Sequence, residues 1–305
     1  MPLPHTPATA ADDRRVGHLL GAALSESAAP SAVLIGFPSD AGVRRNGGRP
    51  GAAEGPSAIR QALVRLTPDA DAPERFARLL AHTRDLGDVA VSGDVEADQA
   101  ALADALAPHL AAGAFGIVLG GGHETAYGHF QAHARLGAPV RILNWDAHAD
   151  VRELRDGRAH SGSPFRQALE HESGLCERYV VAGLQPHSVA GAHLAYVRAH
   201  GAAHFRHALD DPALMDALYA DGPTLVSFDV DAVDRAHAPG VSAPATDGLP
   251  VALWLRAAFL AGRTPGVRGA EVVELSPPLD QDGRTAALAA LTVWQLLRGL
   301  AARTV

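Results

Sequence analysis

Cysteine is almost absent from this chain. Its 305 residues include one, Cys176, which excludes an internal disulfide and suits a reducing compartment such as the cytoplasm. Basic runs are missing too. Asp and Glu outnumber Lys and Arg by 34 to 26, for a net charge of −8, and no Lys/Arg block marks a nucleic-acid or membrane surface. No stretch of about 18 consecutive apolar residues reads as a membrane span. Residues 1–12 lack the basic-then-apolar order of a secretion signal. Aromatic residues make up only 5% of a chain that is 47% hydrophobic. Alanine and glycine carry much of that apolar content, so the core is expected to be rich in small, closely apposed residues. Internal repeats, low-complexity tracts and domain-splitting linkers are also missing.

What is present is an alternation. Apolar β-type runs cover residues 32–37, 115–119, 140–145, 178–184, 224–229 and 269–275. Helix-type segments fall at 57–66, 97–112, 163–170, 187–199, 212–219, 250–262 and 285–300. Buried strands alternating with helices predict a three-layer α/β/α fold with a mostly parallel, doubly wound sheet. Residues 1–30 read as a loose leader with a short helix, and 31–305 as a single catalytic domain. In such sheets ligands sit at the carboxyl ends of the strands.

Residues with metal-binding chemistry fall at those ends. Asp146-Ala-His148-Ala-Asp150 follows the run 140–145; at an extended strand end, positions i, i+2 and i+4 point the same way. A helix cap or turn would explain a lone Asp-x-His. It would not explain three ligand-type residues on one face, because clustered carboxylates repel one another unless a cation intervenes. Asp229-Val-Asp231 ends the run 224–229, and His123 follows Gly120-Gly121-Gly122. Alone, Asp-x-Asp is a common loop pattern, and Asp234 beside it reads more simply as a turn residue. The glycines permit close backbone approach or φ > 0; a phosphate loop is the competing reading, but no Lys-Ser/Thr follows. Glu124 reads as a support for His123 or a helix cap. Oxygen donors with two imidazoles and no thiolate favour a borderline-hard ion such as Mn²⁺. Six ligands suit two ions that together activate water.

Four further features surround this set. His160 lies close in sequence and suits a proton shuttle, or an ordinary loop histidine. Glu274 ends the last strand and suits a cationic substrate group, or a buried ion pair. Arg152, Arg155 and Arg158 follow the first cluster, with Arg44, Arg45 and Arg49 upstream. Each alone is an ordinary solvated arginine; together they suit a substrate with carboxylates.

Gly122-His123-Glu124, Asp146-Ala-His148-Ala-Asp150 and Ser227-Phe-Asp229-Val-Asp231 resemble, in order, the three metal-binding motifs of the ureohydrolase (arginase/agmatinase) family. The resemblance runs from about residue 36 to the end of the chain. It implies two Mn²⁺ per subunit, one held by His123, Asp146, Asp150 and Asp229, the other by Asp146, His148, Asp229 and Asp231. Asp146 and Asp229 would bridge. It also implies a shuttle role for His160, an amidine-binding role for Glu274, and assembly into a trimer or hexamer. Segments 42–56, 160–167 and 238–244 are most similar to the formimidoylglutamases of that family. The implied reaction is hydrolysis of N-formimidoyl-L-glutamate, a dicarboxylate amidine of histidine breakdown, to L-glutamate and formamide, with Asp150 carrying the proton. Arg45, Asn46, Arg152 and Arg155 are the candidates for holding the substrate. The alternatives are an agmatinase, arginase or other guanidino-acid ureohydrolase, and a non-catalytic metal-binding scaffold.

Overall fold

The computed structural model describes residues 13–303 apart from Glu26 and Asp221, together with Pro4 and Thr6. The rest of the expected leader lies outside the described residues. Its short helix is Val16–Leu19, which buries Val16 and Leu19 against the main core.

Among the described residues, eight strands form one sheet: β1 Ala32–Phe37, β2 Thr83–Asp88, β3 Phe115–Gly120, β4 Val140–Trp145, β5 Cys176–Leu184, β6 Gly201–Phe205, β7 Thr224–Asp229 and β8 Val267–Val273. Their order is β2-β1-β3-β8-β7-β4-β5-β6. Every pairing is parallel, where the sequence predicts a mostly parallel sheet. The strands β1, β3, β4 and β7 are buried along their whole length. Their side chains alternate between two cores, as a period of two requires. Leu34, Ile117, Leu119, Leu143 and Trp145 join one core; Val33, Ile35, Val118 and Ile142 join clusters on the opposite face.

The edge strands β2 and β6 carry no apolar run and were not expected. Both are mostly half-buried, so neither needs one. β2 is tied instead by Arg60, whose Nε donates to Asp85 Oδ2 at 2.8 Å and whose Nη2 donates to Gly87 O at 2.8 Å. Small residues allow close helix packing: a Cβ at Gly262 would lie 2.0 Å from Leu296 O, and one at Gly299 2.1 Å from Phe259 O. The helices Val251–Arg263 and Arg284–Ala301 therefore touch backbone to backbone.

Candidate metal centre

All strands run one way, so their carboxyl ends share one edge. The four central strands, β3, β8, β7 and β4, end in the segments that carry His123, Glu274, Asp229 and Asp146. All six sequence-predicted ligands meet there. His123 Nδ1 lies 3.4 Å from Asp146 Oδ2, 3.0 Å from Asp150 Oδ2 and 2.9 Å from Asp229 Oδ2. His148 Nδ1 lies 3.3 Å from Asp146 Oδ1 and 3.2 Å from Asp231 Oδ2. The donor atoms form two sets, His123, Asp146, Asp150 and Asp229, then Asp146, His148 and Asp231, each within 4.8 Å. Asp146 belongs to both. Asp229 belongs to the first, and its Oδ1 accepts Asp231 N–H at 2.9 Å.

Two observations show that these residues fit cations. His123 Nδ1 and Asp231 Oδ1 are buried and lack a hydrogen-bond partner; an imidazole nitrogen crowded by three carboxylates without a directed bond is converging on a common point. The electrostatics agree. Burial, then the neighbouring Asp231 and Asp146, push the Asp229 carboxyl well above its ordinary value. Burial raises Asp231 to about 6, with Asp146 adding to the rise and His148 opposing it. Against the pull of burial, the adjacent Asp150 and Asp229 raise His123. Positive charge placed among these groups relieves the repulsion.

The ligands are held by residues that the sequence reading did not single out. His123 Nε2 sits 2.9 Å from Ser227 Oγ; with Nδ1 as the lone pair, Nε2–H donates to that hydroxyl. Asn144 Nδ2 donates to Asp146 Oδ2 at 2.9 Å and to Tyr179 Oη at 3.0 Å. Tyr179 in turn donates to Ala149 O at 2.8 Å. Ser227 and Asn144 each precede a ligand by two positions, on the same strand face. That spacing was the available signal. Glu124 is not a side-chain cap; its buried Oε1 accepts Gly42 N–H at 2.7 Å, pinning the segment that leads to Asn46. Asp234 is a turn residue, accepting Ala236 N–H and Gly248 N–H. The glycine turn serves close approach: a Cβ at Gly121 would lie 1.9 Å from Ser39 O.

A cleft of about 180 Å³ opens onto the centre, lined by His148, Asp150, Asp229 and Asp231 and by Asn46, Arg152, Ser161 and Glu274 among others. Asp150 and Glu274 hold left-handed backbone, φ 42° and 67°, a conformation that non-glycine residues keep only under tertiary constraint. Glu274 Oε1 accepts His123 N–H at 2.8 Å. Burial, then Asp229 and Glu124, raise its carboxyl well above the ordinary range. Asn46 Nδ2 donates to Ser161 Oγ at 3.2 Å on the cleft wall. Arg152 reaches the cleft with no ion pair among the described residues.

Three expected residues do not line it. Arg45 Nη1 donates to Ala159 O and pairs with Glu96 Oε1 at 3.4 Å. Arg155 Nη1 donates to Arg45 O at 2.5 Å. Both are engaged in tying the segment 152–160 to its neighbours. His160 is buried, its Nδ1 accepting Gly162 N–H at 3.1 Å and its Nε2 donating to Glu153 O at 3.0 Å. Both nitrogens are thus engaged inside its own loop.

A profile of the Arginase family matches residues 30–298. The chain belongs to the arginase family. Among its family relatives, the formimidoylglutamase of Aromatoleum aromaticum is 40% identical, covering 92% of this chain and 86% of the relative. The crystal structure of Trypanosoma cruzi formiminoglutamase with Mn²⁺ superposes with a TM-score of 0.88 at 35% identity, covering 96% of this chain and 100% of that one. That of Bacillus subtilis formimidoylglutamase gives a TM-score of 0.89 at 25% identity, covering 100% and 97%. The arginase-family fold thus extends over essentially the whole described chain.

Proposed function

We propose that this arginase-family protein is a formimidoylglutamase, hydrolysing N-formimidoyl-L-glutamate to L-glutamate and formamide. The relatives above carry that name. Within this chain, the carrying observation is a guanidinium with no acidic partner, Arg152, on the wall of the same cleft as the paired donor sets. The metal is Mn²⁺, two per subunit, as in the T. cruzi structure. His123, Asp146, Asp150 and Asp229 would hold one ion; Asp146, His148 and Asp231 would hold the other, with Asp229 available to it as well. When bound, the two ions supply Lewis acidity that lowers the pKa of water and offsets negative charge at the reacting carbon.

The protein's own groups do the rest. Glu274, fixed through Oε1 by His123 N–H, presents its carboxylate to the amidinium nitrogens. Arg152 binds a substrate carboxylate with its guanidinium fork, and Asn46 adds a donor on the same wall. Water adds to the formimidoyl carbon, and the bond to the glutamate nitrogen breaks. Asp150 takes a proton from that water and returns it to the departing amine. Agmatine, lacking a carboxylate, gains nothing from Arg152. Arginine carries one carboxylate, and the leaving product of either would be urea. The enzyme acts in the cytoplasm, as its single buried thiol suits, and as a homo-oligomer, which sedimentation equilibrium tests.

The deciding assay gives Mn²⁺-loaded protein formimidoylglutamate, arginine, agmatine and guanidinobutyrate, and measures formamide and urea. Formamide from the first is expected; urea without formamide overturns the reading. Arg152→Gln should lower kcat/KM for formimidoylglutamate about 10- to 100-fold, the worth of a charged hydrogen bond, mainly through KM. An unchanged KM removes Arg152 from the substrate site.

A further inference from the structure

A second cavity lies at the opposite edge of the sheet. It holds about 270 Å³, more than the metal cleft, and its walls include Phe115, Val140, Pro223 and Val267. Three of these begin β3, β4 and β8, and Pro223 precedes β7. The cavity therefore sits under the amino ends of the four strands whose carboxyl ends carry the metal centre. Nothing in the hydrolytic mechanism uses it.

Its chemistry is one-sided. Among the described residues, the lining includes His133, Arg268 and Arg303 and no Asp or Glu. Arg303 is pre-positioned: Nε donates to Gly262 O at 2.6 Å, Nη2 donates to Val267 O at 3.1 Å, and the guanidinium lies 5.0 Å over the Phe115 ring. That leaves Nη1 without a protein acceptor among the described residues. Arg268 is exposed and forms no hydrogen bond or ion pair among the described residues. His133 is 5% exposed, lines the cavity, and its Nε2 has no hydrogen-bond partner among the described residues. Its ring packs edge-on against His129 at 5.2 Å, and His129 is anchored by Glu271 on β8. Burial, then Arg268, lowers the Arg303 guanidinium to about 10, as expected where positive groups crowd without a counter-charge. The remaining wall, with Leu110, Phe115 and Leu136, is apolar.

We infer that this cavity is a second ligand site, distinct from the metal centre, that binds a small organic carboxylate with an apolar body. Arg268 and Arg303 hold the carboxylate, the unpartnered His133 Nε2 contributes a hydrogen bond, and the apolar wall covers the rest. Two guanidinium groups select a carboxylate over its neutral isostere. A buried polar atom without a partner gains most when a ligand supplies one.

The test uses full-length, Mn²⁺-loaded protein and 4-fluorobenzoate as the probe, followed by fluorine NMR. Saturable millimolar or tighter binding is expected, with 4-fluorobenzamide at least about tenfold weaker. Arg268→Gln removes an exposed charge, and Leu136→Trp fills the cavity from a 39% exposed position, so both variants should fold, as retained turnover will report. Each should weaken the probe at least about tenfold, while Arg152→Gln, in the metal cleft, leaves it unchanged. No saturable binding, equal binding of acid and amide, indifference to Arg268→Gln and Leu136→Trp, or loss on Arg152→Gln would each overturn the site. None of these outcomes depends on which substrate the metal centre hydrolyses.

Discussion

Glu124→Gln isolates the cost of one buried carboxylate behind the metal centre. The Glu124 carboxyl is 0% exposed, and burial, with Asp40 adding, raises it from 4.5 to about 7. Because the native state binds this proton more tightly than the unfolded chain does, the resulting stability is complete below the unfolded value. It is lost as pH rises through about 7. At about 1.4 kcal/mol per pH unit, the interval from 4.5 to about 7 sets a ceiling near 3 kcal/mol. Roughly 2–3 kcal/mol of it falls between pH 5 and pH 8. Glutamine keeps the Oε1 acceptor for Gly42 N–H and cannot ionise. After chelator treatment, which leaves no cation to act on the same carboxyl, both proteins should melt together at pH 5. By pH 8 the unmodified protein should melt lower than the variant, by on the order of 5 °C at about 2 °C per kcal/mol for a chain of this size. Differential scanning calorimetry at half-unit pH steps checks this. Parallel Tm–pH curves, or a variant that loses stability faster with rising pH, would refute the assignment.

Asp146→Asn removes the carboxylate common to both donor sets. Bound Mn²⁺ should drop from two to at most one per chain by elemental analysis, with turnover down about a thousandfold or more; two retained ions would refute the sharing. Ser227→Ala frees His123 Nε2 and should weaken Mn²⁺ binding about 10- to 100-fold in a chelator competition, whereas unchanged affinity would mean that packing against Phe165 suffices to orient the ring. Arg60→Ala leaves Asp85, which is 3% exposed, without its partner and should cost about 3–5 kcal/mol in urea unfolding. A loss below about 1 kcal/mol would place the ion pair among the inert ones.

The central strands were legible because both of their faces are buried. β1, β4 and β7 coincide with their apolar runs, and β3, β5 and β8 differ from theirs only at the ends. The edge strands β2 and β6 were not legible, since one flank of each needs no apolar cover. The helix Thr125–Ala134 escaped for a different reason: His129 and His133 occupy core-facing positions and break its apolar stripe. At the site, ligand identity followed from spacing along strand ends. The hydrogen bond from Asp231 N–H to Asp229 Oδ1 did not, because it is made by the turn that follows β7. The arginines mark the limit most clearly. Arg45, Arg152 and Arg155 are alike in sequence, yet Arg152 alone among them reaches the cleft, because Glu96 and two backbone carbonyls hold the others.

The strand order has a consequence for synthesis. β8, the last strand made, lies in the middle of the sheet between β3 and β7, and β7 pairs on its other side with β4. Until residues 267–273 emerge from the ribosome, β3 has no neighbour on that side, and the His123 half of the metal centre has no neighbour strand joining it to the Asp229 half. A nascent chain therefore carries two incomplete halves with exposed hydrogen-bonding edges until β8 is made. The final insertion closes the sheet and assembles the donor set together. Metal loading is thereby deferred until β8 is in place, and high-affinity Mn²⁺ uptake can serve as a clock for its insertion.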